Sequence, residues 1–104
     1  MSLPVFWTRF AENKLDDIYD YYASTASPKV AQNIVNELID RTLDLETHPE
    51  MGPKERLLEN RLQEFRHLIE GNYKIIYYIN HNLQRIEIFN VFDTRQDPEK
   101  IDEV

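Results

Sequence analysis

Residues 73–80, "YKIIYYIN", limit what this chain can fold into more than any other stretch. In an extended chain Tyr73, Ile75, Tyr77 and Ile79 share one face, and Ile76 and Tyr78 lie on the other. A strand that is apolar on both sides belongs in the middle of a sheet, with a strand along each edge and cover on each face. Tyr77 and Tyr78 are adjacent, so they point to opposite sides, and one of them must lie under whatever covers the sheet. The flanking sequence supplies the neighbours. Residues 64–70, "EFRHLIE", lead into a Gly71-Asn72 turn, and after "HNLQ" residues 85–92, "RIEIFNVF", return to period two. The expectation is a meander of strands at 64–70, 73–80 and 85–92. In the last strand Ile86 and Ile88 share a face, whereas Phe89 and Val91 fall on the other. Either a bulge near Phe89–Asn90 re-aims the chain, or this strand too is buried on both faces.

The first half of the chain has another period. "PVFWTR" (4–9) reads as a short strand. Ala11, Leu15, Ile18, Tyr19 and Tyr22 then recur at helical spacing, opposite Asp16, Asp17 and Asp20, and predict a helix over 11–25 with Thr8 as its N-cap. Ser27 followed by Pro28 starts a second helix, because the hydroxyl can cap and proline's missing N–H costs nothing at the first helical position. Its apolar stripe runs through Ala31, Ile34, Val35, Leu38, Ile39, Thr42 and Leu45 and predicts helix over 28–48, stopped by Pro49, Gly52 and Pro53. The order β-α-α-β-β-β predicts one α+β domain over 1–104, with a helical hairpin packed on one face of a mostly antiparallel sheet and residues 98–104 as a tail. Helices would then cover one face only. The apolar side chains on the other face are expected to meet a partner.

Composition narrows the function classes. A chain of 104 residues without cysteine carries no disulfide or thiolate metal site. Residues 1–10 lack the apolar run of a signal peptide, and no segment is apolar enough to span a bilayer, so a soluble cytoplasmic protein that does not engage membranes is expected. With two glycines there is no glycine-rich phosphate loop, and no metal-ligand spacing or nucleophile–His–acid arrangement occurs, so no cofactor or metal is expected. The net charge of −7 argues against coating nucleic acid by bulk electrostatics. The acidity is uneven: residues 1–52 hold nine acidic and four basic side chains, residues 53–97 seven of each. Cationic chemistry, if present, belongs to the second half.

Four segments in order carry a resemblance. They are Ala11, Leu15, Ile18 and Tyr21 in the first helix; Leu45, Pro49 and Gly52 after the second; Arg66 followed by "NYKIIY" (72–77); and Ile86, Ile88 and "VFDTRQDP" (91–98). Together they resemble the RelE/ParE toxins of bacterial type II toxin–antitoxin modules, over nearly the whole chain. The resemblance implies a compact toxin fold neutralised by a cognate antitoxin that covers the free sheet face and the C-terminal strand, with a homodimer when the antitoxin is absent. It also implies one of two activities. RelE-like members cut mRNA on the ribosome without a metal, using basic side chains and often a terminal Tyr or His. ParE-like members, of the plasmid-stabilisation type, inhibit DNA gyrase and so act through a protein partner. A homologue that only binds its antitoxin is the third alternative.

Metal-free RNA cleavage needs cations for the charge growing on phosphorus, together with a base and an acid. By resemblance the cations are Lys74, where the family usually carries Arg, Arg95 after the last strand, and Arg66. Each has an alternative reading as an ion-paired strand residue. The acid and base are poorly filled: Asp93 stands where many relatives place His, and Ile101 where RNA-cleaving relatives carry Tyr. "DTR" at 93–95 also fits an Asx turn with Arg95 folded back on Asp93. Tyr73, Tyr77 and Tyr78 could stack bases or form, with Asp93 and Arg95, a protein-binding surface. The long helical hairpin, the acidic balance and the missing His and Tyr favour the gyrase-directed alternative.

Overall fold

The computed structural model describes residues 2–102. Strand β1 (Val5–Trp7) is followed by helices α1 (Arg9–Thr25) and α2 (Pro28–Leu43), and then by β2 (Arg66–Glu70), β3 (Tyr73–Asn80) and β4 (Arg85–Asp93). The sheet order is β1-β4-β3-β2. β1 runs parallel to β4, and the other pairs are antiparallel. The two helices pack on one face of this mostly antiparallel sheet, an α+β arrangement.

Local chemistry sets the helix starts. Thr8 Oγ1 accepts from the Ala11 N–H at 3.2 Å and donates to the Ile88 carbonyl at 2.8 Å, so one hydroxyl caps α1 and pins it to β4. Ser27 Oγ accepts from the Val30 N–H, with Pro28 in the first turn. α2 ends at Leu43 rather than 48, because Asp44–Glu46 tightens into a 3₁₀ turn that brings Leu45 into the core. Gly71, at φ 59°, supplies the left-handed residue of the β2–β3 turn. The tail begins with a 3₁₀ turn, Pro98–Asp102; residues 103–104, the end of the expected tail, lie outside the described residues.

β4 carries the bulge. Ile76 pairs with Asn90 and Tyr77 with Ile88, so Phe89 is the extra residue. The bulge lets Ile86, Ile88 and Val91 all enter the helix-side core, with Leu15, Ile18, Leu38, Ile75 and Tyr77. It also leaves Phe89, Asn90 and Phe92 for the opposite face.

That opposite face is not bare, which corrects the expectation of a free apolar surface. Leu58, Phe65 and Ile101 lie over Ile76 and Phe92 in a second buried cluster, with Tyr78 and Phe89 packed against it. Phe65 packs tilted against Phe89 at 4.8 Å between centroids and meets Tyr78 edge-on at 5.4 Å. The cover comes from an irregular segment and the tail, which show no hydrophobic period. Asn90 fixes the tail by donating from Nδ2 to the Ile101 carbonyl at 3.1 Å.

Candidate functional site

The seven residues singled out in the sequence fall into three places. Tyr73, Asp93 and Arg95 meet in a cleft of about 360 Å³ between α1 and the end of β4, completed by Lys14, Asp17, Ile18 and Tyr21. β4 delivers Asp93 opposite Tyr73, and the chain then turns. The Arg95 N–H donates to Asp93 Oδ1 at 2.9 Å, Arg95 Nε to the same oxygen at 3.0 Å, and Nη2 to Oδ2 at 2.9 Å. This is the Asx turn with a bidentate ion pair folded onto it. Thr94 anchors the turn from both its N–H and its hydroxyl on the Asn72 carbonyl. Arg95's hydrogen bonds hold the Asp93 carboxyl below its ordinary range, and Asp93 and the Tyr22 hydroxyl together raise the guanidinium's already high value. Burial, and then Tyr22, push the Tyr73 phenol up, so it stays protonated. The cleft has an apolar floor of Ile18, Tyr73 and Val91 and a rim of both charges. It suits a partner side chain better than it suits proton transfer.

Arg66 and Tyr77 form a clamp instead. Tyr77 is fully buried on the helix side; its hydroxyl donates to the Pro49 carbonyl at 2.8 Å and accepts from the Gly52 N–H at 3.0 Å. Arg66 Nη1 donates to the carbonyls of Gly52 at 2.8 Å and Glu50 at 3.2 Å. Gly52 is required by space: a Cβ there would meet the His67 carbonyl oxygen at 2.4 Å. Tyr77 therefore offers no ring to a partner, and Arg66 is spent holding residues 49–52.

Lys74 and Tyr78 lie on the other face, apart from Arg66 and Arg95, so the three candidate cations do not converge. The physical reason is strand parity combined with cross-strand pairing. Arg66 pairs with Tyr77 and Asp93 with Tyr73, which sets Arg66 and Asp93 on the helix side, whereas Lys74 has the opposite parity. Lys74 Nζ donates to Glu55 Oε1 at 2.9 Å, and His67 Nδ1 lies 3.1 Å from the same oxygen. Glu55, only 3% exposed, also accepts from the Leu57 N–H. Burial acts to raise Glu55, but Lys74 and the Leu57 N–H outweigh it and hold the carboxylate below its usual range. Burial lowers His67 despite Glu55. Tyr78 donates to Glu87, which also accepts from Asn80 and from Arg85. Burial first, and this bond second, push the Tyr78 phenol up to about 12.

Glu55 is the residue that sequence reasoning missed. It sits in an aperiodic stretch, and no spacing relates it to Lys74, nineteen positions on. Among the described residues no group of three or more His, Cys, Asp or Glu side chains is placed to hold a metal ion. No helix among them is long and apolar enough to cross a membrane.

The geometry has counterparts in solved structures. The chain is similar in fold to one from the chromosomal ParDE toxin–antitoxin system of P. aeruginosa, with a TM-score of 0.73 at 21% identity over 88% of this chain and 96% of that one. It is similar to one in the RelBE2 toxin–antitoxin complex of Mycobacterium tuberculosis, with a TM-score of 0.65 at 18% identity over 89% of this chain and 99% of that one. No curated protein matches by sequence. The family model for the ParE toxin of the type II toxin–antitoxin system parDE matches residues 5–98. That match spans everything from β1 to the tail, and the chain belongs to the ParE toxin family of type II toxin–antitoxin systems.

Proposed function

We propose that this protein is a cytoplasmic toxin that acts on DNA gyrase by protein–protein contact and is neutralised by a cognate antitoxin. The observation that carries the reading is the dispersal of the cations. Arg66 is bonded to backbone carbonyls, Lys74 to a buried carboxylate and Arg95 to Asp93, each at a different place. A phosphodiester in flight would need them together. The cleft of Tyr73, Asp93 and Arg95 is the contact we assign to a protein partner, because its apolar floor and mixed-charge rim match a protein interface. A supercoiling assay with purified gyrase tests this. Inhibition at micromolar toxin, weakened by Arg95→Ala and relieved by the antitoxin, is expected; full supercoiling activity at that concentration overturns it.

A second reading, ribosome-dependent mRNA cleavage, draws on the adjacency of His67, Lys74 and Glu55, where an imidazole, an ammonium and a carboxylate meet. It requires cut messages during growth arrest and their loss in Lys74→Ala. Intact messages in arrested cells exclude it.

A further inference from the structure

Residues 94–100 are exposed, and the tail returns to the sheet through Ile101, which is 2% exposed. Ile101 covers one member of each of two neighbouring cross-strand rows on the second face: Ile76 in His67–Ile76–Asn90, and Phe92 in Ile69–Lys74–Phe92. The turn Pro98–Asp102 is closed locally, by the Lys100 N–H on the Asp97 carbonyl and the Glu99 N–H on Asp97 Oδ1. Its tie to the sheet is the bond from Asn90 Nδ2 to the Ile101 carbonyl. The row beneath is incompletely satisfied. Among the described residues, Asn90 Oδ1 and His67 Nδ1, on either side of Ile76, are buried without a hydrogen-bond partner. His67 Nδ1 is near Glu55 Oε1 but is not aligned to bond it. Buried polar atoms left unpaired weaken the closed state. Water reaching them as Ile101 lifts offsets part of the lost apolar contact.

We propose that this turn is a strap that opens as a local unit, and that its opening admits solutes to His67, Lys74 and Glu55 while the rest of the fold stays intact. With the strap closed, the Lys74 and His67 side chains are only 22% and 17% exposed, and that of Glu55 only 2%. Lys74 pairs across the strands with Phe92, and His67 with Ile76, so lifting Ile101 uncovers the floor beside both. Opening does not scatter the cluster. The Glu55 N–H donates to the Phe65 carbonyl at 2.8 Å and the His67 N–H to the Pro53 carbonyl at 3.0 Å, bonds in which the tail has no part. Lys74 is held on β3, between β2 and β4. The open state therefore presents an ammonium, an imidazole and a carboxylate already assembled beside an apolar floor of Ile76 and Phe92. The closed strap is an autoinhibitory contact for any chemistry that draws on these groups. The helices need not move, because the strap rests on the second buried cluster, which shares no residue with the helix-side core. The inference depends on neither reading of the toxin's target, since its test measures neither supercoiling nor message cleavage.

The test is acetylation of the full chain by acetic anhydride, followed lysine by lysine in a mass spectrometer, alongside amide hydrogen exchange. When opening and closing are fast, the Lys74 rate reports the open population. Lys54, its side chain 68% exposed, is the ungated reference. In the unsubstituted chain Lys74 should react far more slowly than Lys54. Ile101→Ala removes most of the apolar hold and should speed Lys74 about tenfold or more, with Lys54 unchanged and the Ile75 amide still protected. Ile101→Val is the milder step, about threefold, and serves if Ile101→Ala fails to fold. Three results each overturn the proposal: Lys74 reacting as fast as Lys54 in the unsubstituted chain, a Lys74 rate indifferent to both substitutions in folded variants, or a rise that comes only with loss of Ile75 protection.

Discussion

Ile75 and Ile76 are neighbours on β3, both fully buried, and they show two ways of covering a sheet. Ile75 lies under α1 and α2, whose backbone groups are satisfied within the helices, so the helix-side cover needs little beyond an apolar stripe. Ile76 lies under Leu58, Phe65 and Ile101, brought there by two short 3₁₀ turns, Arg56–Leu58 and Pro98–Asp102, and the irregular chain at Phe65, which have far less main-chain hydrogen bonding than a helix. Such cover must be tied down by side chains. Glu55 to Lys74, Asn90 to the Ile101 carbonyl and Lys54 to Glu64 are those ties. The second face uses polar chemistry for structure, which is why several of its charges are unavailable for catalysis.

The comparison is sharpest at those two isoleucines. Ile75→Ala should cost about 3–5 kcal/mol in urea unfolding, because helices locked on both sides cannot collapse into the cavity. Ile76→Ala should cost about 2–3 kcal/mol, because the loop and tail above it can settle inward. Equal losses would break the distinction between rigid and adaptable cover.

Glu55→Gln comes next. It strands the Lys74 ammonium beside a neutral amide, and the expected loss is about 1–3 kcal/mol, discounted because Lys74 reaches solvent. Rapid amide exchange at Leu57 and His67 should accompany it while α1 and α2 remain protected. Tyr77→Phe leaves the Gly52 N–H and the Pro49 carbonyl without their buried partner and should cost about 1–2 kcal/mol, with the loosening confined to residues 49–52. If activity also disappears in this variant, the clamp is part of the functional surface.

The smallest effect is a pH dependence. Burial lowers the His67 value in the folded chain from an ordinary 6.5, so the unfolded chain binds the proton first. Stability is fully present above about pH 6.5 and is lost as pH falls from there towards the folded value. The denaturation midpoint should decline across that window, and His67→Asn should flatten the decline. An unchanged slope in the variant would place the titration elsewhere.

The residue pattern by itself determined the elements. The period change from helical to alternating, the Thr8 and Ser27-Pro28 starts, the Gly71 turn and the phase slip at Phe89 are local effects. Each depends on residues a few positions apart, and the elements follow in the expected order β-α-α-β-β-β. The Asp93–Arg95 turn was legible for the same reason, since its partners are two residues apart. Only the tertiary structure decided which cations meet, because that depends on strand parity and on pairing across the sheet. It alone decided that the second face is covered, because Leu58, Phe65 and Ile101 carry no period to announce them. It alone supplied Glu55, whose role exists only once an aperiodic segment has been laid across β3. Local chemistry fixes what each segment becomes; which side chains are spent on holding segments together is settled by contacts far apart in the chain.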